Sequence, residues 1–232
     1  MARLYLFAEG PTEQTFADNL IKKELARHQV YMHNPVLIAH AKKKGRTHRG
    51  GGRNYEPMKN DIVRFLKQEK ARDVFFTTMI DLYAIHSDFP GLAESESMRQ
   101  NPLQRVEFLE QRFAEDISDP RFIPYIQLHE YEAYLFSEPT CFEYLDARRT
   151  KEIETLQKIA SQHETPELIN DGQQTAPSKR IIEQFPDYGK AKSTFGPQLA
   201  EKIGLEVIRS KCFHFNKWLL RLESLNEECM NS

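Results

Sequence analysis

Asp73-Val74-Phe75-Phe76-Thr77-Thr78-Met79-Ile80-Asp81 is the stretch whose reading decides the fold. It is β-branched and aromatic almost throughout, which is the composition of a strand. It is apolar on both parities, so a strand here is covered on both faces, as in a parallel sheet. It ends abruptly on an acid. Working outward, residues 4–8 (Leu-Tyr-Leu-Phe-Ala) form a shorter apolar run that stops at Glu9-Gly10-Pro11-Thr12-Glu13. That reads as a buried strand and a turn that opens a helix, with Glu13 in the positively polarised first turn. Phe16, Leu20, Ile21 and Leu25 follow at helical spacing. Residues 35–41 and 122–128 read as two further strands. Helices are expected over 57–68 and 103–116, with a loop over 82–102. This alternation predicts an α/β protein with a mostly parallel four-stranded sheet flanked by helices. Beyond about residue 137 the pattern is helical, over 150–162, 178–185, 197–203 and 213–225. The expected organisation is a core over residues 1–140 and a helical C-terminal extension, 141–232, packed on it.

Hydrophobic residues make up 40% of the 232 and charged residues 28%, values that exclude disorder, collagen and coiled coil. No apolar run approaches the roughly 20 residues that span a bilayer, and the start does not read as a signal peptide. Three scattered cysteines (Cys141, Cys212, Cys229) form no metal pair and suggest no disulfide framework, as expected of a reducing cytoplasm. The oligomeric state is open.

The formal charge is −2, but it is unevenly spread. Lys42, Lys43, Lys44, Arg46, Arg49 and Arg53 fall within twelve residues that hold no acid, so the rest of the chain is net acidic. With Gly50 to Gly52 inside it, the segment reads as a mobile basic loop. It suits contact with the phosphates of DNA, RNA or a nucleotide. The alternative is a solvated loop whose charge only aids solubility.

Acids end three of the strands. Ligands of open parallel sheets bind beyond the carboxyl ends of the strands, so Glu9, Asp81 and the segment His129-Glu130-Tyr131-Glu132 converge on one edge. Carboxylates held close raise one another's pKa, and a divalent cation such as Mg²⁺ or Mn²⁺ resolves that conflict with hard oxygen ligands. Glu13 is either a helix-dipole residue or a part of this group, and Asp81 either a turn residue or a ligand. Glu130 and Glu132 would point about 200° apart on a helix, so only one would face the site, and Glu132 is preferred. His129 would orient a carboxylate or donate a proton, or be a structural hydrogen-bonder. Asp88, before Phe89-Pro90-Gly91, is a supporting ligand or a turn residue. Lys179 and Arg180 open a predicted helix, where cations oppose the dipole; they point to a phosphate partner or are a surface pair. Lys190 and Lys192 add charge nearby. Residues 212–218, rich in aromatics, read as core packing rather than a base-stacking platform.

The strand followed by Glu9-Gly10-Pro11-Thr12-Glu13, and the later strand ending in Asp81, resemble the Toprim fold of topoisomerases, bacterial primases and overcoming-lysogenization-defect (OLD) type nucleases. The chain is similar to a bacterial Toprim-like family described as a domain of unknown function. The resemblance is carried by residues 9–13, 77–81, 88–91, 129–136 and 177–180, and so covers nearly the whole chain. RloB-type proteins have a similar stretch that would align Glu132 with the shared acid. The resemblance implies that Glu9 and Asp81 bind Mg²⁺. It departs at Asp81-Leu82-Tyr83, where the superfamily has an acidic pair; Asp88 or Glu132 would stand in, or a second metal site is absent. It also implies a defence or restriction setting and an ABC- or AAA-type ATPase partner.

Together these readings predict a Mg²⁺- or Mn²⁺-dependent nuclease acting on DNA or RNA. Glu9, Asp81 and Glu132 would hold metal, Glu13 would position water or act as base, and Asp88 or Glu130 would support them. The basic segment with Lys179 and Arg180 would engage the phosphate backbone. The alternative is a non-catalytic subunit of an ATPase. The absence of Gly-Lys-Ser/Thr and Gly-x-Gly-x-x-Gly loops argues against ordinary NTPase or dinucleotide roles.

Overall fold

The computed structural model describes residues 1–43, 46–49, 54–169 and 175–231. In chain order the strands are β1 (Ala2–Ala8), β2 (Val30–Met32), β3 (Val36–Leu37), β4 (Ala39–Lys43), β5 (Arg46–Arg49), β6 (Val74–Asp81), β7 (Phe122–Ile123) and β8 (Ile126–Gln127). All strand pairs of the central sheet are parallel. Its spine is β1 beside β6, in register from Arg3 with Val74 to Ala8 with Met79. On the far side of β1 lie β2 and β3, end to end, and on the far side of β6 lie β7 and β8.

The four expected strand positions are therefore present, with the outer two each broken. The sequence reading missed β2, which is only three residues long and follows Gln29 in a left-handed conformation (φ 59°). It also joined two things that the chain separates. Val36–Leu37 stays in the sheet, whereas Ala39–Lys43 leaves it to pair antiparallel with Arg46–Arg49. The mobile loop expected over residues 42–53 is thus corrected: Lys42, Lys43, Arg46 and Arg49 lie on a two-stranded ribbon, because backbone groups of the two segments pair with each other. Lys44, Gly50 to Gly52 and Arg53 lie outside the described residues.

The break in the fourth strand has a clear cause. Pro124 has no N–H for the ladder, and two threonines of β6 take over. Thr77 Oγ1 donates to the Ile123 carbonyl (2.6 Å), and Thr78 Oγ1 accepts from the Tyr125 N–H (2.9 Å) and donates to its carbonyl (3.0 Å). Thr77 Oγ1 also accepts from the Trp218 indole N–H at 2.9 Å, tying the C-terminal helices to the sheet.

Helices cover both faces. On one face, α3 (Tyr55–Gln68) and α5 (Pro102–Ile117) pack Met58, Ile62, Leu66, Val106, Leu109 and Phe113 against Phe7, Val74, Phe76 and Ile80. Between them, α4 (Leu92–Ser95) lies in the expected loop. On the other face, α1 (Pro11–Phe16) runs through a π-helical turn (Ala17–Ile21) into α2 (Lys22–Arg27). Beside them lie α6 (Glu143–Asp146), α7 (Thr150–Ser161), α8 (Pro177–Gln184), α9 (Lys192–Ile203), α10 (Leu205–Lys211), α11 (Phe213–Glu223) and α12 (Leu225–Asn231). Leu4, Leu6, Ala8, Phe75 and Met79 join Phe16, Ile181, Leu199, Phe215 and Trp218 in one apolar cluster on that face. The period-2 split of β1 and β6 between the two clusters is what a strand buried on both faces requires. No helix among the described residues is long and apolar enough to cross a membrane.

Replacing Thr78 with Val strands the buried Tyr125 N–H and carbonyl while preserving shape. We expect a loss of about 1–3 kcal/mol, read as a lower urea midpoint at unchanged slope. Thr78→Ser should restore most of it. An unchanged midpoint for Thr78→Val would show that the strand break is closed by something else.

Candidate functional site at the carboxyl edge of the sheet

The carboxyl ends of β1, β6 and β8 bring Glu9, Asp81 and the segment 129–132 to one edge. There four acids each take one oxygen to the main-chain N–H of another residue. Asp81 N–H donates to Glu9 Oε2 (2.9 Å), and Tyr131 N–H to Asp81 Oδ1 (3.0 Å). Gly10 N–H donates to Glu13 Oε2 (2.9 Å), the backward reach of a capping box. A Cβ on Gly10 would stand 3.0 Å from that same oxygen, so a larger residue there would make the Glu13 carboxylate shift by a few tenths of an ångström. Ser178 N–H, at the start of α8, donates to Glu130 Oε2 (2.9 Å), which sets an anion on the positive end of a helix. The segment Pro177–Arg180 thus serves the site through its backbone. Lys179 itself is exposed, and Arg180 Nε donates to the Thr175 carbonyl at 2.7 Å.

Glu132 is held differently. Its Oε1 pairs with Lys192 Nζ at 3.2 Å and accepts from the Tyr188 hydroxyl at 3.3 Å. Gly196 lets α9 close on this corner: a Cβ there would lie 3.1 Å from both Tyr131 Cε1 and the Tyr188 hydroxyl. The buried Tyr131 hydroxyl has no hydrogen-bond partner among the described residues.

Glu13 and Glu132 are buried, and Glu9, Asp81 and Glu130 half-buried, so the group keeps a face to solvent. The electrostatics follow. Desolvation, then the charges of Glu132 and Glu130, pushes Glu9 up to about 7 against the pull of the Asp81 N–H. Desolvation and Glu9 push Glu13 up to about 8. Asp81 is raised well above the carboxyl range by desolvation and by Glu9, Glu13, Glu132 and Glu130. Desolvation also raises Glu132, against the opposing pull of Lys192. Five carboxylates act on one another, and the described cation set among them is Lys192. The donor set is all hard oxygen with strong mutual repulsion, which fits Mg²⁺ or Mn²⁺ in chemistry.

Two of the expected site residues go elsewhere. Asp88 is exposed, and both its oxygens accept from the Tyr55 N–H (3.1 and 3.0 Å), so it caps α3 and does not join the acids. His129 is held near 4 by burial and then by Arg105, so its ring is neutral around pH 7. What His129 contributes is its backbone: φ of 65°, a conformation disfavoured by about 1–2 kcal/mol, turns the chain sharply out of β8. The choice between Glu130 and Glu132 is also corrected. Glu130 is extended and precedes the 3₁₀ turn Tyr131–Ser137, so the helical 200° separation does not apply and both acids act on Glu9 and Asp81. The ribbon β4–β5 leaves the sheet just after β3, whose partners Phe7 and Ala8 precede Glu9. Topology therefore brings it to the same edge.

The sequence reading missed Tyr188 and the specific placement of Lys192, which reach Glu132 across nearly sixty residues of chain with no local signal. A second acidic group, Glu24, His28 and Glu223, has ligand atoms all within 4.8 Å of one another. It is an ion-pair network: Arg209 makes contacts of 2.8 and 3.1 Å to Glu223, and Arg27 one of 2.6 Å to Glu24.

Residues 8–223 match the family described as Domain of unknown function (DUF4276). Among solved structures, the C-terminal region of the Xanthomonas campestris pv. campestris OLD protein is similar at 14% identity and a TM-score of 0.43, covering 99% of this chain and 98% of that one. The C-terminal region of the Burkholderia pseudomallei OLD protein is similar at 14% identity and a TM-score of 0.44, covering 97% and 98%. No curated protein matches the sequence.

A raised carboxyl pKa means that the folded state holds a proton that the unfolded chain has released, so stability falls as pH rises between the two values. For Glu13 that window runs from about 4.5 to about 8. Glu13→Gln keeps an oxygen for the Gly10 N–H and removes the titration. Metal-free Glu13→Gln should therefore gain on the wild type by up to ~1 kcal/mol per pH unit across this window, measured as the difference in urea stability. A difference independent of pH would contradict the raised pKa.

Proposed function

The chain belongs to that family of unknown function, and we propose that it is a Mg²⁺- or Mn²⁺-dependent nuclease that hydrolyses phosphodiester bonds of DNA or RNA. The observation that carries this reading is the group of five mutually repelling carboxylates at the carboxyl edge of a parallel sheet, each with at least one oxygen held. Such a group is relieved either by protons or by a cation, and near pH 7 protons only partly suffice. Glu9, Asp81, Glu130 and Glu132 would hold the ion, which when bound polarises a phosphate and lowers the pKa of water. Glu13, in the first turn of α1, would orient water at that edge. The ribbon that carries Lys42, Lys43, Arg46 and Arg49 leaves the sheet at the same edge, where basic residues suit a polyanion. Lys179 would add to the same contact. A role as effector in anti-phage defence, and an ATPase partner of the ABC or AAA type, extend this proposal along the resemblance read in the sequence.

Purified protein incubated with plasmid DNA or tRNA should cleave only with Mg²⁺ or Mn²⁺. Glu9→Ala and Asp81→Ala should each reduce the rate by about a thousandfold, several kcal/mol of lost charge stabilisation, with unchanged circular dichroism. Cleavage that ignores chelator, or survives both substitutions, would refute the catalytic assignment. Cation binding with no cleavage of either substrate would favour the non-catalytic partner of an ATPase.

A further inference from the structure

Four of the five acids are fixed by main-chain N–H groups: Glu9 by Asp81, Glu13 by Gly10, Asp81 by Tyr131 and Glu130 by Ser178. Glu132 adds to its own main-chain N–H two side-chain partners, the Lys192 ammonium and the Tyr188 hydroxyl. A side chain can leave without refolding the backbone, so the Lys192 partner of Glu132 is exchangeable.

Lys192 is placed for exchange. It is the first residue of α9, where a cation opposes the helix dipole, and its N-cap, Ala191, offers no side-chain hydrogen bond. What offsets that placement is Glu132, whose side chain is only 7% exposed. The Lys192 side chain is 37% exposed, so its ammonium has water to move into. Lys190, two residues earlier, is a natural contrast: 79% exposed and paired with Asp187 at 2.7 Å, away from Glu132.

We propose that Lys192 is a built-in counter-ion that competes with a divalent cation for Glu132, so that cation binding at the acidic edge expels the ammonium. The inference rests on the metal reading above and goes beyond it: it makes Glu132 a ligand that is released only on binding, and it weakens the site's intrinsic affinity for the ion. Lys192 is a positioning residue in this account, acting through Glu132.

The test is calorimetric titration of the full chain with Mn²⁺. Lys192→Met should bind Mn²⁺ about fivefold tighter than the wild type, the loss of one ion pair. Lys192→Arg should return the affinity toward the wild-type value. Lys190→Met removes the same formal charge without touching Glu132 and should leave the affinity within twofold. Independently, saturating Mg²⁺ should raise acylation of the Lys192 amine relative to Lys190, read by peptide mass spectrometry. Equal tightening in Lys192→Met and Lys190→Met would reduce the effect to long-range charge and overturn the proposal. So would weaker binding in Lys192→Met, or Lys192 acylation unmoved by Mg²⁺ while Mn²⁺ binds. Absence of Mn²⁺ binding by all forms would instead refute the metal reading itself, and the proposal with it.

Discussion

Like charges brought together with little water cost several kcal/mol each unless something answers them. At the carboxyl edge of this sheet, Glu9, Glu13, Asp81, Glu130 and Glu132 are brought into mutual range. The answer in the fold is a set of N–H donors at chain turns, the Lys192 ammonium and partial protonation. The parallel spine β1–β6 makes this unavoidable, because strands running the same way deliver their last residues to the same edge. The structure around the edge is organised to keep the acids there. Gly10 admits the Glu13 carboxylate, the left-handed His129 swings residues 130–132 inward, and α8 presents its N-terminus to Glu130.

The helical C-terminal third is part of this arrangement. Its α8 supplies the Ser178 N–H, α9 supplies Lys192, and the 3₁₀ turn before α9 supplies Tyr188. Trp218 of α11 reaches Thr77 inside the sheet, and the apolar cluster on that face mixes strand residues with helices from both halves of the chain. The acids come from the strand half and most of their non-local partners from the helical half.

What was legible in the sequence was whatever depends on short-range pattern. The apolar run 73–81 announced a central strand, and the strand-then-acid sequence at Glu9 and Asp81 announced the edge. Less legible was anything set by long-range pairing. Residues 42–53 read as a loop because Gly50 to Gly52 sit poorly in a strand, yet Ala39–Lys43 and Arg46–Arg49 pair with each other. Asp88 looked like a supporting ligand by its place in the chain, but the helix end at Tyr55 claims both its oxygens. Glu130 and Glu132 were separated by a helical argument that fails because the chain is extended at Glu130. Lys192 stood in the sequence only as one more charge, since nothing local tells which acid it will meet.

The central proposal is that this edge, rather than the acidic group of Glu24, His28 and Glu223, holds a divalent cation. Anomalous diffraction from crystals soaked in Mn²⁺ tests it most directly. The account predicts a peak within roughly 2.0–2.6 Å of carboxylate oxygens of Glu9 and Asp81, weakened in Asp81→Asn. A peak at Glu24, His28 and Glu223 instead, or none at the sheet edge at saturating Mn²⁺, would contradict it.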